Sequence, residues 1–301
     1  MSQSTGAEIP ASQAASASPA GAGAVASLAG NPANLSVAEL EAKAKVLRRH
    51  IVTMTTEAGS GHPGGSLSAI DLMAAIYFRL LRHDPRNPKW PDRDRFVLSK
   101  GHCCPALYAV LAEAGYFPVE ELATFRRLNS RLQGHAHIKT PGVEMSSGSL
   151  GQGLSFAIGT ALAGRLDGRG YKTYVMLGDG ECDEGQVWEA AMAASHYRLE
   201  NIIAILDRNG IQNDRRTDEV MELEPLDDKW RANRWRVEHV DGHDMAAIVE
   251  TLERVSSVPG PTVVIAKTVK GKGVSFMENN PAFHGKAANE EQLAQALAEL
   301  A

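Results

Sequence analysis

The chain has 301 residues, 44% of them hydrophobic and 22% charged, with a net charge of −5 at pH 7. That is enough apolar material for one large α/β domain or two small ones, and the acidic balance offers no broad cationic surface for nucleic acid or an anionic membrane. No uninterrupted apolar run reaches transmembrane length, so small substrates and protein partners are expected.

Residues 1–34 are mostly Ala, Ser, Gly, Pro and Gln. They carry too few large apolar side chains to offset the entropy of ordering a backbone, and this stretch is expected as a disordered tail ahead of one domain over 35–301. The first Lys or Arg is Lys43, so the N-terminus shows neither the basic start of a secretory signal nor the arginines of a transit peptide. Cys103, Cys104 and Cys182 show neither CxxC spacing nor a disulfide framework, as in a reduced, cytoplasmic protein. A helix start at Asn34-Leu-Ser36 leads into Leu40, Ala44, Leu47, Ile51 and Met54 at helical spacing, up to Gly59. A helix over 66–82 follows, then a strand over 95–99 and helices near 105–115 and 119–129. The Gly-rich stretch 148–153 opens a helix to 166, and a strand is predicted over 173–177. A helix over 185–196 leads to a continuous apolar strand over 201–206. Strands over 236–240 and 262–266 enclose a helix over 245–256. Strands alternating with helices, and apolar on both faces, predict a doubly wound, mainly parallel α/β sheet. In such sheets ligands bind beyond the carboxyl ends of the strands.

Two of those ends carry chemistry. The strand over 173–177 runs into Gly178-Asp179-Gly180, and the strand over 201–206 into Asp207-Arg208-Asn209-Gly210. Asp179 and Asn209 then emerge at neighbouring strand ends, each with a hard oxygen suited to an octahedral Mg²⁺ that also takes oxygens from a diphosphate. The flanking glycines let backbone approach phosphate, and the helix opening near Gly185 is expected to aim its N-terminal amides at that charge. An isolated Gly-Asp-Gly turn is more often structural, but Gly-Asp-Gly, helix, buried strand and Asn in succession is the signature of thiamine-diphosphate enzymes. No GxGxxG follows a strand, and Lys270-Gly-Lys-Gly273 lacks P-loop spacing.

Further motifs narrow the family. Gly61-His-Pro-Gly-Gly65, Leu98-Ser-Lys-Gly-His102, Gly134-His135, Ser147-Gly-Ser-Leu-Gly-Gln-Gly153, Gly178-Asp-Gly-Glu-Cys-Asp-Glu-Gly185 and Phe283-His-Gly285 follow in one order over about residues 40–290. In this the chain resembles the N-terminal domain of transketolases. The resemblance implies that Asp179, Asn209 and the Ile211 carbonyl hold Mg²⁺. It also implies that His102, His284 and Gly180 face the diphosphate side of thiamine diphosphate, and that Gly148 and Leu150 meet the aminopyrimidine through backbone. Glu184 would link two cofactor sites. His62, His135 and His284 would handle sugar hydroxyls, with His284, helped by His62, exchanging the proton of the hydroxyl next to the bond that breaks. Imidazole titrates near neutral pH and serves in either direction. His50, His83, His196, His239 and His243 lack motif support and are expected to be structural, while His137 lies close enough to His135 to reach the same cleft. Three departures from the family pattern, Gly148-Ser149 for Gly-Pro, Gly134-His-Ala-His137 for Gly-His-Pro-Glu, and Cys103-Cys104 after His102, bear on substrate and not on cofactor.

In this family the glutamate and aromatic pocket for the aminopyrimidine come from a second domain, for which the sequence has no counterpart. A split transketolase is therefore expected, two copies of this chain with two of a C-terminal, pyrimidine-binding subunit (α2β2), moving a two-carbon ketol group from a ketose phosphate to an aldose phosphate as in the pentose phosphate pathway. The alternatives are the α-subunit of a 2-oxoacid dehydrogenase, which shares the Asp to Asn motif, and a non-catalytic cofactor-binding subunit.

Overall fold

The structure is a computed structural model that describes residues 31–301. The tail expected over 1–34 lies outside the described residues except for 31–34, where the Asn31 side chain donates to the carbonyl oxygens of Tyr77 and Leu81, each at 2.7 Å.

The first helix, α1 (Val37–Glu57), starts where Ser36 and Glu39 form a capping box. Next, α2 (Pro63–Ala75) opens on a proline, whose missing N–H is no loss in a first turn, and runs on into a π-helical turn at Ile76–Leu80. Strand β1 (Arg95–Leu98), α3 (Cys104–Glu113), α4 (Gln152–Leu166), β2 (Thr173–Gly178), α5 (Gly185–His196) and β3 (Ile202–Arg208) follow. A two-stranded hairpin of β4 (Ile211–Gln212) and β5 (Arg215–Arg216) then leads to the short helices α6 (Thr217–Val220) and α7 (Leu226–Ala232). The chain closes with β6 (Arg236–Asp241), α8 (Met245–Ser257), β7 (Thr262–Lys267) and α9 (Glu290–Glu299).

Five strands form one sheet in the order β1-β2-β3-β7-β6, and every pair is parallel. The expected α/β fold is borne out. Because side chains alternate across a strand, the sheet divides the core in two. Leu98, Met176, Ile203, Ile205 and Val264 pack with α1, α2, α3 and α8 on one face. Val97, Val175, Leu177, Leu206 and Ile265 pack with α4, α5 and α7 on the other. No helix among the described residues is long and apolar enough to cross a membrane.

One expectation is corrected. The helix expected over 119–129 is only a 3-10 turn, Val119–Thr124. Arg126 and Asn129 take left-handed backbone angles, φ +60° and +65°, which no helix tolerates. A 3-10 turn, Gly180–Asp183, stands between Asp179 and the start of α5, which opens at Gly185 as expected. Helices α6, α7 and α9 and the hairpin are additions to the expected elements.

Ile205 is fully buried on the central strand. Ile205→Ala should lower the unfolding free energy by about 2–5 kcal/mol in urea titrations with an unchanged m-value. A loss below about 1 kcal/mol would contradict this packing.

Candidate active site

The carboxyl ends of β1, β2, β3 and β7 converge on a cavity of about 240 Å³. Of the residues singled out in the sequence, His62, His102, His135, Gly148, Leu150, Asp179, Gly180, Asn209, Ile211 and His284 all line it. Glu184 does not: it is exposed at the N-cap position of α5, where its side chain makes no capping hydrogen bond, with its Cβ 3.0 Å from where a Cβ on Gly151 would stand. His137 also stays out, its Nδ1 accepting from the Lys139 amide at 3.1 Å.

Local folding explains each placement. Proline at the first turn of α2 leaves His62 as its N-cap, and His102 sits in a 3-10 turn between β1 and α3. Gly151, at φ +82°, turns the loop into α4. Glu181 anchors that turn from below. Buried at 2% exposure, it accepts from Gly151 N at 2.8 Å, from Gly178 N at 2.9 Å and from the Ser99 hydroxyl.

Asp179 accepts from Gly180 N at 2.8 Å and from Gly210 N at 2.6 Å, which fixes the carboxylate between β2 and β3. Asn209 donates through Nδ2 to Asp207 and Ser68 at 3.2 and 3.3 Å, so its Oδ1 is the acceptor left toward the Ile211 amide at 3.1 Å. With the Ile211 carbonyl, which accepts from Lys270 Nζ at 3.0 Å, this donor set is all oxygen. Among the described residues there is no cluster of three His, Cys, Asp or Glu side chains able to hold a metal. Oxygen donors of this kind fit Mg²⁺ and not a soft transition metal. A Cβ on Gly180 would stand 2.7 Å from the Gln212 side chain and displace it; Gly180 also lines the cavity, where bare backbone fits an approaching phosphate.

Four imidazoles form the facing wall. The His62 ring lies 5.2 Å from His102, 6.2 Å from His135 and 5.3 Å from His284, and the rings of His102 and His284 are 5.3 Å apart. Burial, followed by the neighbouring cations and imidazoles, brings His62 and His102 down to about 4 and His284 to about 3. Burial, His102 and Arg126 lower His135 as well. His62 Nδ1 is buried without a partner, an uncommitted atom waiting for a polar ligand.

Sequence reasoning missed the charges behind this wall. Lys100 pairs with the fully buried Asp207, and Lys270 donates to His284 Nδ1 at 2.9 Å. Burial opposes charge on Lys100 and on Asp207, yet their mutual attraction outweighs it, holding the lysine up and the carboxyl down. Burial takes Lys270 down to about 8. Asp179 is raised, by burial first and then by Asp207. The residues outside the site behave as expected: His50 pairs with Glu113, His83 bridges Tyr116 and Tyr77, His239 meets Asp227 and His243 meets Asp71.

The depressed imidazoles set the sign of a pH effect. An unfolded histidine titrates near about 6.5, whereas these stay neutral down to about 4 or 3. Through that window the unfolded chain binds more protons, so stability rises with pH. Urea midpoints of the chain without added metal or cofactor should climb from pH 4 toward pH 7, and more gently after His62→Gln, His102→Gln and His284→Gln are combined. Equal slopes would contradict neutral, buried imidazoles.

Residues 40–301 match the family model of the transketolase thiamine diphosphate binding domain. The chain is 48% identical to the 6-deoxy-6-sulfo-D-fructose transketolase subunit SqwG of Clostridium sp. (strain MSTE9), covering 87% of this chain and 96% of that one. It is 43% identical to an apulose-4-phosphate transketolase subunit from Actinobacillus succinogenes, covering 90% and 99%. The crystal structure of transketolase from Campylobacter jejuni superposes with a TM-score of 0.84 at 33% identity, over 88% of this chain but 43% of that one. The chain thus spans less than half of that transketolase and nearly the whole of the two subunits. The chain belongs to the transketolase family, through its thiamine-diphosphate-binding domain.

Proposed function

We propose that this chain is the N-terminal subunit of a transketolase-type transferase, moving a two-carbon ketol group from a ketose phosphate to an aldose phosphate together with a C-terminal, pyrimidine-binding subunit. The observation that carries this reading is the joint lining of one cavity by Asp179, Asn209, Ile211 and four histidines. Relatives named as one subunit of a transketolase, matched along almost their whole length, support the division. Their names also widen the range of sugars, since one is a sulfo-sugar transketolase and the other an apulose-4-phosphate transketolase.

In this reading Asp179, Asn209 and the Ile211 carbonyl hold Mg²⁺, and Gly180 and His102 meet the diphosphate. Bound there, thiamine diphosphate supplies the electron sink for the carbon that changes hands. The chain's own residues orient and protonate. Lys270, donating to His284 Nδ1, leaves Nε2 as the nitrogen presented to the substrate hydroxyl. His62 offers its unpartnered Nδ1, and His135, exposed at the rim, grips hydroxyls further out. Glu184 is exposed at the start of α5, and Phe156 and Leu166 on α4, Met192 on α5 and Tyr197 at its end are exposed as well. Exposed apolar side chains suit a partner surface, and α2β2 is the assembly proposed for the two subunits. The 2-oxoacid dehydrogenase alternative gains no support from the family match or from the histidine wall.

Calorimetry on the assembled complex should show Mg²⁺-dependent cofactor binding that Asp179→Ala abolishes; unchanged affinity would refute the ligand assignment. His284→Ala should cut turnover by about 10²–10⁴-fold while leaving that binding measurable, and full turnover would remove His284 from the proton transfer.

A further inference from the structure

Arg126 stands outside the cavity, yet it touches both loops whose histidines line it. Its Nη1 donates to Ser60 Oγ at 2.5 Å, two residues ahead of His62. Its guanidinium lies flat over Gly134, the residue ahead of His135: a Cβ built on Gly134 would come 2.7 Å from Cζ, Nε and Nη2 alike. From beneath, the buried Tyr108 hydroxyl reaches the carbonyl oxygens of Gln133 and His135, each at 3.0 Å. Arg126 itself sits at φ +60°, a backbone conformation that L side chains adopt only when their surroundings impose it. Its Nε is buried without a partner, and the Ser60 hydroxyl is its side-chain hydrogen-bond partner among the described residues. The cation also lies over the Phe125 ring, 5.6 Å from its centroid, so it is held between the two loops in a left-handed backbone with part of its hydrogen-bonding capacity unused.

We propose that Arg126 is a positioning residue that clamps the Ser60–His62 loop to the Gly134–His135 loop and so fixes the 6.2 Å spacing of the two imidazoles that flank the substrate. Gly134 is the matching half of the clamp, because any side chain there displaces the guanidinium. The proposal rests on the ketol-transfer reading only for which reaction it serves; the clamp itself is testable in the chain alone. His62 is faced by His102, His135, His284, Lys270 and Arg126, and His135 by His62, His102 and Arg126. Of the two cations in that set, Arg126 is the one that does not line the cavity.

The test follows the ring signals of His62 and His135 by NMR in the full chain. Arg126→Met should move both signals and raise both titration midpoints, because a cation beside each imidazole is lost. Arg126→Lys should keep the midpoints near their original values while still shifting the signals, since an ammonium does not stack on glycine. Gly134→Ala keeps the charge but should disturb His62, on the opposite loop. Signals unmoved in Arg126→Met, or a Gly134→Ala effect confined to His135, would overturn the clamp. Should Arg126→Met fail to fold, the other two variants decide. In the assembled complex Arg126→Met should lower kcat/KM by about 10²-fold, the loss that a misplacement near 1 Å brings, with Mg²⁺-dependent cofactor affinity unchanged. A wild-type complex without ketol transfer, alongside coupled histidine signals, would sink the functional reading and leave the clamp standing.

Discussion

The buried pair of Lys100 and Asp207 is the constraint on which the site depends. Asp207 is wholly inaccessible at the end of the central strand β3. It accepts from Lys100 after β1, from Ser68 on α2, from Thr268 after β7 and from Asn209 in its own loop. Taking two charges out of water costs several kcal/mol per ion, and a buried pair survives only where the remaining lone pairs are satisfied. Here that requirement draws three strand ends and the first turns of α2 into one fixed arrangement. Asn209 owes the direction of its Oδ1 to this network, and α2 owes to it the placement of His62 on the wall.

Much of the fold was legible in the sequence because its signals are local. Continuous apolar runs such as Ile202-Ile-Ala-Ile-Leu206 mark strands buried on both faces, and Ser36 with Glu39 marks a helix start. Where the reading failed, a single backbone angle or a distant contact decided. Leu122 and Phe125 suggest a helix, but the left-handed turn at Arg126 ends it. Helix α9, which packs on α1, has an Asn289–Gln292 capping box that is visible in the sequence once sought.

The candidate site divides in the same way. Residues in glycine-flanked motifs were found, since glycine beside a polar residue betrays a close approach of backbone to ligand. Lys100 and Glu181 stand inside quoted motifs, yet charge is normally at the surface, and nothing local says that these two are buried. Lys270 was weighed only as part of a phosphate loop and set aside with it. Its role as the partner of His284 depends on the chain returning from β7, a tertiary fact. Arg126 is the extreme case, holding two loops whose histidines lie more than seventy positions apart in sequence.

In the proposed function the site so assembled is a metal and diphosphate half, and the reaction needs the other half from a partner. The most direct measurement compares the purified chain, a candidate pyrimidine-binding partner and the two co-expressed, each assayed with a ketose phosphate donor, an aldose phosphate acceptor, thiamine diphosphate and Mg²⁺. Ketol transfer is expected from the co-expressed complex and none from either chain alone. Turnover by this chain by itself would contradict the proposed function.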